Sequence, residues 1–190
     1  MLYYIVIALI AVVMTYFLSW RPYWADSIYK QKPLWFAHRG ALLQHPENTL
    51  SSYKYAMVAG IPAIEMDVLS TKDGVVVCSH NFDLERKTDS FGYIHHMDFQ
   101  DLHLRNTASN SNKTNERIYT LEEVFNALDN EILINVEIKT HRWFDIKTAY
   151  NAVKIINKTR KINRLKSFKY FPYRLLSIAN LHLSTVMIPI

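Results

Sequence analysis

Ala63-Ile64-Glu65-Met66-Asp67-Val68-Leu69 is an apolar run with a carboxylate at two alternate positions. Read as a β-strand, it places residues i and i+2 on one face, so Glu65 and Asp67 point the same way. Outward from it the chain alternates strand and helix signals. Leu34 to Ala37 is a short apolar strand, and Leu50, Tyr53 and Met57 recur at helical spacing until Gly60 and Pro62 close the helix. After the first run, Asp73-Gly74 marks a turn and Val75 to Cys78 is a third strand. Thr120-Leu-Glu-Glu123 has the capping-box pattern, ahead of an apolar face of Leu121, Val124, Phe125 and Leu128. Ile132 to Ile138 is a fourth strand, residues 145–161 are helical, and Ser184 to Ile190 is a further β-prone run. This alternation predicts a parallel α/β architecture. Residues 84–118, polar and rich in Asn, Ser and Thr, read as a long loop with one short helix, and long loops in compact domains are often functional.

The 190 residues are 49 % apolar and 21 % charged, which is globular rather than disordered. Residues 2–18 carry no charge and are flanked by Tyr3, Tyr4, Tyr16, Trp20, Tyr23 and Trp24, the pattern of a membrane-spanning helix with an aromatic belt. The expected organisation is a transmembrane anchor over 1–20, a juxtamembrane linker over 21–33 and a domain over 34–190. Arg21, Lys30 and Lys32 follow the apolar run, which predicts a single-pass protein with its domain in the cytoplasm. The net charge is +5, yet residues 146–190 hold nine Lys and Arg and no Asp or Glu. That segment reads as a solvated helix face, with contact to anionic lipid as the alternative. No nucleic-acid module accompanies the charge, so nucleic acid is not an expected partner. The single cysteine, Cys78, lies in an apolar run and reads as a buried core thiol.

The ionisable residues fall at strand ends. His38 and Arg39 follow the first strand, Glu65 and Asp67 close the second, His80 follows the third, and Glu137 and Lys139 close the fourth. In a parallel barrel such ends converge on one mouth. Three carboxylates brought together raise one another's pKa, and a divalent cation relieves the repulsion. Hard oxygen ligands suit Mg²⁺ or Ca²⁺. Arg39 and Lys139 add fixed positive charge suited to a phosphate, and two histidines can divide the roles of general acid and base. His95, His96 and His103, in the polar loop, match no metal-ligand spacing and read as surface residues.

The ordered series His38-Arg39-Gly40, Pro46-Glu47-Asn48-Thr49, Glu65-x-Asp67, Thr71-Lys-Asp73-Gly74, His80 and Glu137-x-Lys139 resembles the glycerophosphodiester phosphodiesterases. The resemblance implies a TIM-type (β/α)₈ barrel with His38 and His80 as the acid–base pair and Glu65, Asp67 and Glu137 as metal ligands. It makes Arg39 and Lys139 phosphate-contacting cations, with Glu47 supporting beside the site. It implies metal-dependent hydrolysis of glycerophosphodiesters, or of lysophospholipids, to a glycerol phosphate and an alcohol, the glycerol hydroxyl attacking first to give a cyclic phosphate that water opens.

The sequence departs from that pattern in three places. Asn81 stands where the family has Asp. Lys169 follows Ser167-Phe168 where the family's fifth strand continues as Ser-Phe-Asn. Residues 34–190 are fewer than the roughly 250 of a full barrel, so an incomplete barrel of about six strands is expected. A truncated, non-catalytic relative that binds a membrane or a partner is therefore the alternative reading.

Overall fold

The computed structural model describes residues 1–19, 35–43, 45–102, 116–129, 132–141, 146–159 and 165–170. The expected linker over 21–33, His103 and the strand expected over 184–190 lie outside the described residues.

Five strands form one sheet: β1 (Phe36–Ala37), β2 (Ala63–Ser70), β3 (Val76–Cys78), β4 (Leu133–Ile138) and β5 (Leu165–Tyr170). The order along the sheet is β1-β2-β4-β5, every pair in that path parallel. The helices are α1 (Leu2–Ser19), α2 (Leu50–Val58), α3 (Phe99–Leu102), α4 (Leu121–Ala127) and α5 (Lys147–Lys158), with a 3₁₀ turn at Ile94–His96. The fold is α/β, as the alternation predicted.

One strand corrects that reading. β3 is not part of the parallel series; it runs antiparallel to β2, with Val68 opposite Cys78 and Ser70 opposite Val76. A parallel crossover needs a dozen or more residues, and only residues 71–75 separate the two strands. Thr71 and Gly74 close the turn, the Thr71 N–H donating to the Val75 carbonyl at 2.9 Å and the Gly74 N–H to the Thr71 carbonyl at 3.0 Å.

β2 is buried along all eight residues, as a strand covered on both faces must be. Ile64, Met66 and Val68 pack with Ile134, Val136 and Ile138 of β4 against Tyr53 and Ala56 of α2, Leu121, Val124 and Phe125 of α4, and Ala149, Ala152 and Ile156 of α5. The alternate residues, Glu65 and Asp67 on β2 and Glu137 on β4, are left for the opposite face. A second cluster of Leu69, Val77, Leu84, Ile94, Leu102 and Ile118 holds the polar loop against the β2–β3 hairpin. Cys78 is buried, as expected.

The anchor expectation is not supported as drawn. α1 has 18 residues, about 27 Å at 1.5 Å per residue, against roughly 30 Å of hydrocarbon in a bilayer. Among the described residues no helix is long and apolar enough to cross a membrane. α1 does carry exposed apolar side chains between Leu2 and Met14, including Leu2, Ile5, Leu9 and Val12.

Candidate active site

Strand register assembles the site. Ala37 pairs with Ile64, so His38 and Arg39 leave β1 level with Glu65. Asp67 pairs with Glu137 across β2 and β4, and the Lys139 N–H continues the ladder to the Val68 carbonyl at 2.8 Å. Carboxylate oxygens of Glu65, Asp67 and Glu137 consequently lie within 4.8 Å of one another, with Glu65 and Asp67 buried. Burial, and then the neighbouring Asp67, push the Glu65 carboxyl up to about 8, against the opposing pull of the Arg39 N–H. That N–H donates to Glu65 Oε2 at 2.9 Å.

Both expected cations are present and engaged. Lys139 Nζ is 2.6 Å from Glu137 Oε1 and 3.2 Å from Asp67 Oδ1. Burial alone would lower the Lys139 pKa; the contacts with Glu137 and Asp67 outweigh it and raise the value. Arg39 Nε is 3.1 Å from Asp67 Oδ2, and its Nη1 is 3.4 Å from Glu47 Oε2. Glu47 thus supports the site through Arg39, and Lys87 Nζ, 3.3 Å away, shares the same oxygen.

The two histidines flank this cluster. His38 Nε2 is 3.9 Å from Glu65 Oε2, on a largely exposed ring. Partial burial, then the Arg39 charge, lower the His38 pKa, and His80 is close enough to contribute in the same direction. The chain leaving β3 turns back along β2, the Ser79 N–H donating to the Asp67 carbonyl at 3.1 Å, and this brings His80 in. His80 Nδ1 is 3.1 Å from Asn81 Oδ1. With Nδ1 as the donor, the amide oxygen fixes the ring and leaves Nε2 as the acceptor. This neutral amide stands where the resemblance expects an aspartate.

Sequence reasoning missed three contributors. Asn48 adopts a left-handed backbone, φ 55°, which Asn tolerates better than most residues. Its Oδ1 accepts from the Asp67 N–H at 3.0 Å and from the Tyr53 hydroxyl at 2.8 Å, while its Nδ2 donates to Asp67 Oδ2 at 3.2 Å. The signal was present in Pro46-Glu47-Asn48-Thr49, but only Glu47 was given a role. Tyr53 counted there only as a helix-face residue. Lys87 comes from a loop with no periodicity to place it. Thr49 of the same motif caps α2, accepting from the Ser52 N–H. Gly40, at φ +89°, packs so closely on Ser52 that a Cβ there would collide with it.

The donor set suits a hard divalent cation. Three carboxylates converge, two of them buried, and burial followed by the nearby Asp67 holds Glu65 far above its ordinary range. Glu65, Asp67 and Glu137 would hold the ion, with Lys139 and Arg39 paired to carboxylates of the same cluster.

The family described as glycerophosphoryl diester phosphodiesterase matches this chain over residues 38–185. A glycerophosphodiester phosphodiesterase of Caldanaerobacter subterraneus is 37 % identical over 112 residues, covering 57 % of this chain and 46 % of that protein. Human glycerophosphodiester phosphodiesterase 1 is 34 % identical over 110 residues, covering 55 % of this chain and 33 % of the relative. A phosphodiesterase of Oleispira antarctica, solved with the product sn-glycerol-3-phosphate, superposes with a TM-score of 0.68 at 28 % identity, over 78 % of this chain and 62 % of that one. The glycerophosphodiester phosphodiesterase of Thermotoga maritima gives 0.63 at 30 % identity, over 77 % and 57 %. The matches to the two curated relatives span less than half of each relative's length.

Proposed function

The chain belongs to the glycerophosphoryl diester phosphodiesterase family, and from that premise we propose that it hydrolyses glycerophosphodiesters, or lysophospholipids, to a glycerol phosphate and an alcohol. The observation that carries this reading is the cluster of buried Glu65 and Asp67 with half-buried Glu137, flanked by Arg39, Lys139, His38 and His80. The product bound to the Oleispira relative is of the expected class. The parallel strands β1, β2, β4 and β5 are read as an arc of a TIM-type barrel with this cluster at its mouth.

A Mg²⁺ or Ca²⁺ held by Glu65, Asp67 and Glu137 would polarise the phosphoryl group and offset its developing charge. Arg39 and Lys139 bind and orient the phosphate oxygens, and Glu47 keeps Arg39 in place. His38 and His80 divide the proton transfers, one accepting the proton of the attacking glycerol hydroxyl and the other giving a proton to the departing alcohol oxygen. Asn81 holds the His80 ring so that Nε2 faces that exchange. Water then opens the cyclic phosphate with the roles reversed.

The purified chain is expected to release glycerol 3-phosphate from glycerophosphocholine when Mg²⁺ or Ca²⁺ is supplied, and to stop when the ion is chelated. His80→Ala is expected to lower kcat by about 10²- to 10⁴-fold. Full activity in that variant would remove the role given to His80. Metal binding without turnover of any diester would leave a non-catalytic relative.

The helix α1, apolar all round and exposed, supports a placement of the chain against lipid. Arg21, Lys30 and Lys32 beyond it support a cytoplasmic side for the domain.

A further inference from the structure

Five rings that the reaction above does not use form one continuous cluster. His95 is at its centre. Its ring lies 4.1 Å from that of His141, stacked at 14°. His96 is 4.3 Å away, Tyr93 5.5 Å and Phe82 6.3 Å, and Tyr93 also meets His96 at 5.7 Å. The cluster is built by two loops that both start in the site. Phe82 lies two residues beyond His80, and His141 two residues beyond Lys139, a reach of at most about 7 Å of extended chain. The Ile94 N–H donates to the Phe82 carbonyl at 2.9 Å, and the Lys72 N–H to the Met97 carbonyl at 2.9 Å, which pins the loop beyond the C-terminal end of β2. Tyr93 is 51 % exposed, and His96 and His141 are exposed as well, so the cluster is open to solvent on that side.

These imidazoles do not make a metal site. Face-stacked rings direct their nitrogens outward in parallel planes, and among the described residues the donor atoms that converge are those of Glu65, Asp67 and Glu137. What the loops present is a partly exposed wall of rings, meeting mostly edge to face, that starts two residues beyond His80 and Lys139.

We propose that this wall is the subsite for the alcohol half of the diester and that it takes a quaternary ammonium group of the choline type. The proposal rests on the hydrolase reading. With the phosphate on Arg39 and Lys139, the alcohol half projects past these cations and needs a surface of its own. A methylated ammonium is weakly hydrated and is attracted to aromatic faces. A polyol or a primary ammonium gains less there, because each must exchange strong hydration for ring contact.

The test uses the full chain and two readouts. Tetramethylammonium chloride, titrated against a sodium chloride control, should shift the ring resonances of Tyr93, His95, His96 and His141. Tyr93→Ala and His141→Ala should weaken that binding. Each should also lower the ratio of kcat/KM for glycerophosphocholine over glycerophosphoinositol by about tenfold, while His141→Phe, which keeps a ring, retains it. A flat titration, or an unchanged ratio in both alanine variants, overturns the subsite whether or not the chain is an enzyme. A normal titration with no turnover of either diester overturns the hydrolase reading and leaves the ammonium site standing.

Discussion

Asp67 is 1 % exposed, and both of its oxygens are engaged, Oδ1 by Lys139 and Oδ2 by Arg39 and Asn48. Asn48 does the least replaceable part of this, because its amide binds the Asp67 backbone, the Asp67 carboxylate and the Tyr53 hydroxyl together. Asn48→Ala leaves those buried groups short of partners and puts a residue ill-suited to φ 55° in the turn. It is expected to destabilise the fold by about 1–3 kcal/mol, read as a lower urea midpoint. Cys78 gives a second prediction at this scale. Burial pushes its thiol well up, so at neutral pH it is the unreactive thiol rather than the thiolate. A thiol reagent should label nothing in the native protein and one group in denaturant. What the sequence made legible at the site was the ionisable set: Glu65, Asp67 and Glu137 do converge, and Arg39 and Lys139 do border them. What stayed hidden was Lys87, which no periodicity places, and two neutral residues, Asn48 and Tyr53. An Asn or a Tyr has no charge to advertise its role, and the contacts of Asn48 depend on a left-handed turn that pattern alone does not reveal.

Among the elements, α4 was the most predictable. The Thr120 hydroxyl oxygen accepts from the Glu123 N–H at 3.0 Å, and Glu123 Oε2 accepts from the Thr120 N–H at 2.8 Å. Thr120→Ala is expected to cost about 1 kcal/mol, measured by chemical denaturation. Burial alone would raise the Glu123 pKa, but the Arg117 hydrogen bond and the Thr120 N–H outweigh it and hold the value below the ordinary carboxylate range. A depressed pKa contributes stability above the unfolded-state value and loses it as pH falls through the folded-state value. The gap in thermal midpoint between wild type and Glu123→Gln should therefore be widest near neutrality and narrow as the pH falls below the ordinary carboxylate range. β3 was the least predictable element. Its composition says strand, but its direction is set by the five residues before it, so loop length rather than propensity carried the information. The loop that follows shows the same limit. Its two short helical turns and its ring cluster depend on contacts with β2 and with His141, which no periodicity records.

Among the described residues, α1 carries the longest run of exposed large apolar side chains, from Leu2 to Met14. The chain is expected to float with lipid vesicles, and a chain lacking residues 1–19 to stay in the aqueous fraction; co-flotation of both would remove the lipid role given to α1. The pairing of β2 with two very different neighbours also has a kinetic meaning. β3 returns to β2 after residues 71–75, whereas β4 reaches it only after residues 71–132. Closing the longer loop costs roughly 2 kcal/mol more in chain entropy, so the hairpin is the nucleus that chain entropy favours and the β2–β4 pairing the slower event. Glu65, Asp67 and His80 would then come together early, on one local ribbon, and Glu137 and Lys139 would complete the constellation only when the slow, long-range step is finished. A refolding chain would acquire its ion-binding competence last, so that the appearance of that competence times the end of folding rather than its beginning.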